Sequence, residues 1–215
     1  MITNSKNAAL PKNIAFYCGS SGSGKTHQIK KSLEAAGNDR SVLIWDAEDE
    51  YDGRDVVKCH SLHEFAAIVF EKRNAGERVI VSLVCGNGKR EFEAFCAVCW
   101  SVRGIEWPLA VVVEELASVT TVSKAPGDWL NLLNRGRKYD VWIFAGAQRP
   151  AEVDKTVLSQ KNHLFIGYLE SPADHHYIAA KVALSREQLE KLRPKPFYDH
   201  WIIESGKEPV FGTAK

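Results

Sequence analysis

The sequence has almost no excess of charge of either sign, and it has no long apolar run. Its 28 lysines and arginines balance 27 aspartates and glutamates, which leaves a net charge of +1. This balance excludes binding of nucleic acid through bulk positive charge, although a local basic strip or a ring of copies could still bind it. The longest strictly apolar runs, such as Leu109–Val113, have only a few residues, whereas a membrane-spanning helix needs about 18. We therefore expect no transmembrane segment.

Glycine and proline are also scarce, and cysteine is present in an odd number. The 15 glycines and 8 prolines among 215 residues are too few for a disordered or low-complexity chain. Five cysteines, mostly among apolar neighbours, are typical of buried thiols in a reducing compartment and not of a disulfide framework. Residues 1–7 lack the basic and then apolar layout of a secretory signal. The sequence predicts a single folded domain over residues 1–215 that is not exported.

Apolar runs rich in β-branched and aromatic residues alternate with stretches whose apolar residues recur at helical spacing. Most of these runs are continuous, which predicts strands buried on both faces of a mostly parallel sheet. The predicted strands are residues 14–18, 42–46, 78–84, 109–114, 141–147 and 163–168, and the predicted helices are residues 25–36, 62–74, 89–102 and 129–134. Residues 117–127 are predicted to be irregular. A helix starting near Ser185 and a hairpin of residues 200–204 and 209–211 extend this α/β, three-layer fold at its C-terminus.

The strongest motif follows the first predicted strand. Residues 19–26 read GSSGSGKT and fit the pattern G-x-x-x-x-G-K-[ST], with a strand before it and a helix after it. Glycines let successive backbone N–H groups point at phosphate oxygens, and the helix N-terminus adds positive charge. Lys25 would reach the β- and γ-phosphates, and the Thr26 hydroxyl would hold Mg²⁺. The predicted ligand is ATP with Mg²⁺, held by Gly19, Ser20, Ser21, Gly22, Ser23, Gly24, Lys25 and Thr26.

Two acidic residues end the predicted strand at residues 109–114. An apolar run followed by Glu114 and Glu115 places a carboxylate at the end of a buried strand, within reach of Mg²⁺ or its waters. We assign Glu114 to the metal site and Glu115 to the general base that polarises an attacking water. A kinase would need an acceptor pocket and usually a mobile basic lid, and the sequence shows no obvious lid. The pair therefore favours hydrolysis of ATP.

A dense acidic turn follows the second predicted strand, from Asp46 to Tyr51. Four carboxylates close to a triphosphate would repel it unless a metal or basic groups of another chain neutralised them. The alternative interpretation is a solvated acidic loop, and the residues alone leave both open.

Basic and amide side chains flank the strand predicted at residues 141–147. Gln148 at its end could contact the γ-phosphate or the attacking water. Arg135 and Arg137 precede the strand and so lie at its opposite end, too far away to serve the site of their own chain. They could instead act in trans on a neighbouring subunit, where an arginine stabilises transition-state charge. The alternative is that both are ordinary solvated arginines.

Four segments in this order, GSSGSGKT, LIWDAEDEY, LAVVVEEL and RGRKYDVWIFAGAQRP, resemble the FtsK/HerA-like ATPases. The similarity is greatest to the genome-packaging ATPases of membrane-containing viruses with double-jelly-roll capsids, and it covers roughly residues 14 to 167. It implies a P-loop NTPase fold of the RecA/ASCE type. Asp46 and Glu50-Tyr51 match the end of the second strand, Arg135 and Arg137 match the trans-acting arginines, and Gln148, Arg149 and Pro150 match the sensor.

One residue departs from the family pattern. The family has Asp-Glu where this sequence has Glu114-Glu115, so a direct or a water-mediated contact of Glu114 with Mg²⁺ both remain open.

The resemblance implies a homo-oligomeric ring, usually a hexamer, that threads double-stranded DNA into a preformed capsid. Sequence-independent contacts to DNA could come from the loop of residues 86–90 and from the segment around Lys124. Further partners would be capsid-vertex or membrane proteins, and the location would be the host cytoplasm during assembly or the packaging vertex of the virion. The alternatives are an ATP-driven assembly factor of a phage or virus that does not translocate DNA, and, less favoured, a small-molecule kinase.

Overall fold

The computed structural model describes residues 13–84, 88–123 and 125–213. The strands are β1 (Ile14–Cys18), β2 (Ser41–Asp46), β3 (Val56–Cys59), β4 (Ile80–Val84), β5 (Leu109–Val113), β6 (Trp142–Ala147), β7 (His163–Ile166), β8 (His200–Glu204) and β9 (Val210–Gly212). The helices are α1 (Lys25–Ala35), α2 (Leu62–Asn74), α3 (Lys89–Ser101), α4 (Leu116–Val119), α5 (Gly127–Arg135), α6 (Lys155–Gln160), α7 (Pro172–Ala179) and α8 (Arg186–Glu190). Short 3₁₀ turns precede and follow β6, at Gly136–Tyr139 and Pro150–Glu152.

The strands form one sheet in the order β3-β4-β2-β5-β6-β1-β7-β8-β9. Strands β3 to β7 in this order pair in parallel, whereas β8 pairs antiparallel with β7, and β9 antiparallel with β8. This confirms the predicted α/β fold with a mostly parallel sheet and a C-terminal hairpin. β6 lies between β1, which precedes the phosphate loop, and β5, which precedes the acidic pair. Because parallel strands end at the same edge of a sheet, this order brings the two motifs together.

Successive side chains of the central strands point into two different apolar clusters, as the two-residue period of a strand requires. In β5, for example, Val111 and Val113 belong to the larger cluster, and Val112 belongs to the smaller one. Helices α2, α3 and α5 cover the larger cluster, and α1 covers the smaller one with Ile29 and Leu33. Burial on both faces explains why these strands read as continuous apolar runs.

The structure corrects two predictions about the elements. Strand β3 was not predicted, because it is a four-residue edge strand with only partial burial and directly follows the acidic turn. Residues 117–127 are not wholly irregular, since α4 occupies Leu116–Val119 and α5 already begins at Gly127. Within the described residues, no helix is long and apolar enough to cross a membrane. That residues 1–215 form a single domain stays a prediction.

Candidate nucleotide-binding site

The loop between β1 and α1 has the backbone that a phosphate cradle needs. Gly22 and Gly24 have positive φ angles of 70° and 92°, which glycine adopts without a steric penalty. A Cβ atom on Gly19 would lie 2.5 Å from the Ser23 Oγ, so the close approach there also requires glycine. The Lys25 side chain is buried over the loop, where its Nζ donates to the Gly19 carbonyl oxygen at 2.9 Å.

A cleft of about 500 Å³ opens in front of this loop. Residues 21–26 form one wall of the cleft, and Glu114, Glu115 and Gln148 line it as well. The structure thus brings together the phosphate loop, the acidic pair and the predicted sensor, which the sequence had placed at the ends of three different strands.

Glu114 is held by a chain of hydrogen bonds that starts in the acidic turn. The Asp46 carboxylate is fully buried and accepts from the backbone N–H of Glu50 at 2.9 Å and from that of Tyr51 at 3.1 Å. The Ser82 hydroxyl donates to the same carboxylate at 2.8 Å. The Tyr51 hydroxyl, placed by this turn, donates to Glu114 Oε1 at 2.7 Å. Asp46 therefore organises the turn and is not solvated, whereas Glu48 and Glu50 line the cleft.

Burial makes Glu114 difficult to ionise in the absence of a cation. Glu114 is only 3% exposed, and this desolvation raises the pKa of its carboxyl to about 7. The hydrogen bond from Tyr51 acts in the opposite direction and lowers the pKa. A cation beside this carboxylate would favour the charged form. Thr26 and Glu114 supply a hydroxyl and a carboxylate oxygen to one cleft, and Mg²⁺ usually takes one or two such ligands together with phosphate oxygens. The residues present therefore fit a Mg²⁺–triphosphate complex.

Glu115 and Gln148 form a second pair in the cleft. Glu115 has a left-handed backbone with φ 50° and ψ 49°, a conformation uncommon for a residue other than glycine. Gln148 Nε2 donates to Glu115 Oε1 at 3.0 Å. The amide thus lies beside the carboxylate assigned as general base, where both can contact one water molecule.

The next residue of the predicted sensor makes different contacts. Arg149 Nε donates to the buried Asp174 carboxylate at 2.8 Å, and Asp174 also accepts from the Ala151 backbone N–H. Arg149 therefore fixes the turn after β6 to α7, and Gln148 is the member of this motif that reaches the cleft.

The two predicted trans-acting arginines lie at the other end of β6. Arg135 ends α5 and Arg137 lies in the 3₁₀ turn before β6, so the length of the strand, roughly 20 Å, separates them from Gln148. Both side chains are exposed. The Arg135 guanidinium lies 5.8 Å from the centre of the Trp100 ring. Neither arginine lines the cleft of its own chain.

The predicted DNA-contacting segments are only partly described. Gly86, Asn87 and Lys124 lie outside the described residues. Lys89 and Arg90 are exposed at the start of α3, which follows the carboxyl end of β4. They are therefore at the same edge of the sheet as the cleft.

Three aromatic residues that the sequence analysis did not select also line the cleft, namely Phe165, Tyr198 and His200. They come from β7, from the segment before β8 and from β8 itself. No local motif marks them, because only the pairing of β7 with β1 and β8 brings them beside the loop.

Comparisons with known proteins agree with this geometry. Protein P9 of Pseudoalteromonas phage PM2 is 30% identical over 203 residues, which cover 94% of this chain and 89% of that protein. The DNA double-strand break repair helicase HerA of Pyrococcus furiosus is 25% identical over 138 residues, 60% of this chain but only 25% of the helicase. No protein-family model matches the sequence.

Solved structures resemble the whole described fold. The genome packaging NTPase B204 from Sulfolobus turreted icosahedral virus 2, in complex with AMPPCP, has a TM-score of 0.72 at 16% identity, covering 95% of this chain and 98% of that one. The bacterial conjugative coupling protein TrwB has a TM-score of 0.67 at 8% identity, with coverage of 97% and 86%. At these identities the likeness concerns the fold.

Fold and cleft together define a P-loop NTPase, and the resemblance to FtsK/HerA-like ATPases is confirmed. More narrowly, the chain belongs to the family of Protein P9 of phage PM2, which it matches over nearly its entire length.

Proposed function

We propose that this protein is an ATP-hydrolysing motor that moves double-stranded DNA into a preformed viral capsid. The observation that carries the proposal is the convergence of the phosphate loop, the Glu114-Glu115 pair and Gln148 on one cleft. B204, which shares the fold at a TM-score of 0.72, is a genome packaging NTPase and was solved with an ATP analogue. HerA, a helicase, matches part of the chain.

Within the cleft, each group has a role that follows from its position. Residues 19–26 bind the phosphates, with Lys25 at the β- and γ-phosphates. Thr26 and Glu114 would hold Mg²⁺, which when bound would neutralise charge on the phosphate oxygens. Glu115 accepts a proton from the attacking water, and Gln148 orients that water. Tyr51 donates to one oxygen of Glu114, and the other oxygen would be available to the cation.

The arginines extend the proposal to an assembly. Arg135 and Arg137 are remote from their own cleft and exposed, and neither forms an ion pair with a described residue. We assign them to the cleft of the next subunit in a homo-oligomeric ring, a hexamer by family resemblance, where a guanidinium would stabilise charge in the transition state.

DNA would be bound without regard to sequence. Lys89 and Arg90 place two positive charges in the first turn of α3, where the helix dipole disfavours cations. A phosphate backbone would offset that cost. Repeated around a ring, these side chains would give a positive collar although the chain has a net charge of only +1.

The proposed setting is the host cytoplasm during assembly or the packaging vertex, with capsid or membrane proteins as further partners. An assembly factor that uses ATP without moving DNA would share the cleft but not the response to DNA.

The test compares ATP hydrolysis with and without long double-stranded DNA, together with the mass of the assembly. We expect DNA to stimulate hydrolysis by a ring, and Lys25→Ala to abolish turnover at any DNA concentration. Simultaneous charge reversal of Lys89, Arg90 and Lys124 should remove the stimulation but keep the basal rate. Stimulation that survives this reversal contradicts the DNA contacts. Hydrolysis without stimulation or ring formation contradicts the motor and supports the assembly factor.

A further inference from the structure

The nucleotide cleft has two chemically different sides. Strand β1, which leads into the phosphate loop, has β6 and β5 on one side and β7 and β8 on the other. The carboxylates that line the cleft, including Glu114 and Glu115, follow strands on the first side, whereas Phe165, Tyr198 and His200 come from the second side. The phosphate loop is suited to the phosphates and the acidic side to Mg²⁺, so the aromatic side remains for another part of the nucleotide.

Tyr198 directly borders the phosphate loop. Its ring carbon Cδ1 would lie 3.7 Å from a Cβ atom on Gly24, the residue that precedes α1. The side chain is half-buried and lines the cleft. On the same side of the cleft, the His200 ring stacks on the buried Phe165 ring, with 5.1 Å between the ring centres and 29° between their planes. The His200 Nδ1 lies 2.9 Å from the Tyr198 carbonyl oxygen, so the segment that carries Tyr198 is tied to this ring pair.

The backbone of Tyr198 is held in an unfavourable conformation. Its φ angle is 50°, in the left-handed region that a bulky side chain rarely occupies. Such strain persists only where the surroundings fix it.

Asp199 supplies that restraint. Its buried carboxylate accepts from Arg193 Nε at 2.6 Å and from the Thr213 hydroxyl at 2.8 Å, and the Asp199 backbone N–H donates to the Arg193 carbonyl oxygen. The Arg193 hydrogen bond lowers the pKa of the Asp199 carboxyl to about 2. Residues 193–199 are thereby closed into a loop, with the ring of Tyr198 presented to the cleft.

We infer that Tyr198 is the stacking platform for the nucleobase of the bound triphosphate, on the side of the cleft that Phe165 and His200 also line. The inference rests on the proposed function, because the phosphate loop must first fix the triphosphate. An aromatic face offers dispersion contact to any base and more to a purine than to a pyrimidine, since the purine has the larger surface. Asp199 and Arg193 are positioning residues that act through Tyr198.

The test removes the ring without releasing the loop. Tyr198→Asn is the main variant, because asparagine tolerates a positive φ angle. Tyr198→Phe keeps the stacking face, and Phe70→Ala removes an exposed aromatic ring on α2 that does not line the cleft. For each purified full-length variant, the dissociation constants for ATP, CTP and inorganic tripolyphosphate are measured with Mg²⁺.

We expect Tyr198→Asn to raise the dissociation constant for ATP by about tenfold or more. The dissociation constant for tripolyphosphate should change little, and those for ATP and CTP should differ less from each other than in the wild type. Tyr198→Phe and Phe70→Ala should bind ATP like the wild type. Unchanged ATP binding by Tyr198→Asn would overturn the stacking role. Equal losses for ATP and tripolyphosphate would overturn it too, since the ring would then only support the phosphate loop. If the wild type binds neither ATP nor tripolyphosphate, the proposed nucleotide site is contradicted, and that result is distinct from the others.

Discussion

At the carboxyl end of β6, polar side chains form hydrogen bonds with one another inside a cleft, whereas at its amino end two arginines are exposed on the surface. In the cleft, Tyr51 donates to Glu114 and Gln148 donates to Glu115. At the other end, Arg135 contacts only the face of an aromatic ring among the described contacts, and Arg137 is exposed.

The difference is what the proposed division of the catalytic site between one chain and its neighbours predicts. The cleft is organised in advance by contacts within the chain, at the cost of burying a carboxylate. Among the described residues, no acidic side chain forms an ion pair with Arg135 or Arg137. Such an arrangement is expected if the second half of the catalytic site comes from another copy.

The largest effect should come from separating these two halves. Lys25→Ala in one subunit and Arg135→Ala with Arg137→Ala in another should each be inactive alone, since a trans-acting arginine contributes about 10³-fold or more. Mixed together, they should regain measurable ATP hydrolysis, because some junctions then combine an intact cradle with intact arginines. Phosphate release from the mixture is the measurement. No recovery, with both variants still assembling, would contradict the division.

A smaller but still large loss is expected within the cleft. Glu115→Gln keeps the size of the side chain but cannot accept the proton of water, so hydrolysis should fall about 10³-fold while ATP binding remains. Glu48→Gln is the matched control, because Glu48 lines the cleft but is exposed in the acidic turn. It should change the rate by less than a few fold. If both variants lose the same fraction of the hydrolysis rate, the negative charge of the cleft is responsible, and Glu115 is not the general base.

The phosphate loop and the acidic pair illustrate what could be predicted from the sequence. The phosphate loop and the acidic pair are runs of adjacent residues at strand ends, so local pattern was sufficient to place them. The order of the strands was not readable from the sequence, and the contacts of Tyr51 and Tyr198 that depend on it were missed. Tyr51 donates to Glu114 across 63 positions only because β2 lies beside β5. Tyr198 reaches the phosphate loop only because the C-terminal hairpin pairs with β7. The short edge strand β3 lacks the buried apolar run by which the other parallel strands were found.

Burying the Glu114 carboxylate in the prebuilt cleft should lower the stability of the fold at neutral pH. Burial raises the pKa of Glu114 from 4.5 to about 7, so between these values the folded protein binds a proton that the unfolded chain releases. Stability should therefore fall as pH rises through this window. Glu114→Gln, which avoids the buried charge, should be more stable than the wild type above pH 7 by up to about 3 kcal/mol and by much less at pH 4.5.

Urea unfolding in EDTA at both pH values provides the measurement, and Tyr51→Phe provides the control. The Tyr51 hydrogen bond lowers the pKa of Glu114, so its loss should shift the pH dependence upward. A gain in stability from Glu114→Gln that is the same at both pH values would contradict the titration of this carboxyl.

The smallest effects are expected on the free energy of unfolding, when three arginines near the amino end of β6 are replaced one at a time. Arg40 is nearly buried, donates to the Asp140 carboxylate at 2.9 Å and lies 4.0 Å from the centre of the Trp142 ring. Arg40→Ala should therefore cost about 2 kcal/mol of unfolding free energy.

Arg137→Ala should change the unfolding free energy by less than about 0.5 kcal/mol, and Arg135→Ala by about 0.5 to 1 kcal/mol because of its ring contact. Denaturant midpoints at one protein concentration, low enough to keep the chain monomeric, give all three values. A loss for Arg137→Ala as large as that for Arg40→Ala would make Arg137 a structural residue. Loss of hydrolysis without loss of stability is the result that separates an arginine held for a neighbouring subunit from one that its own fold requires.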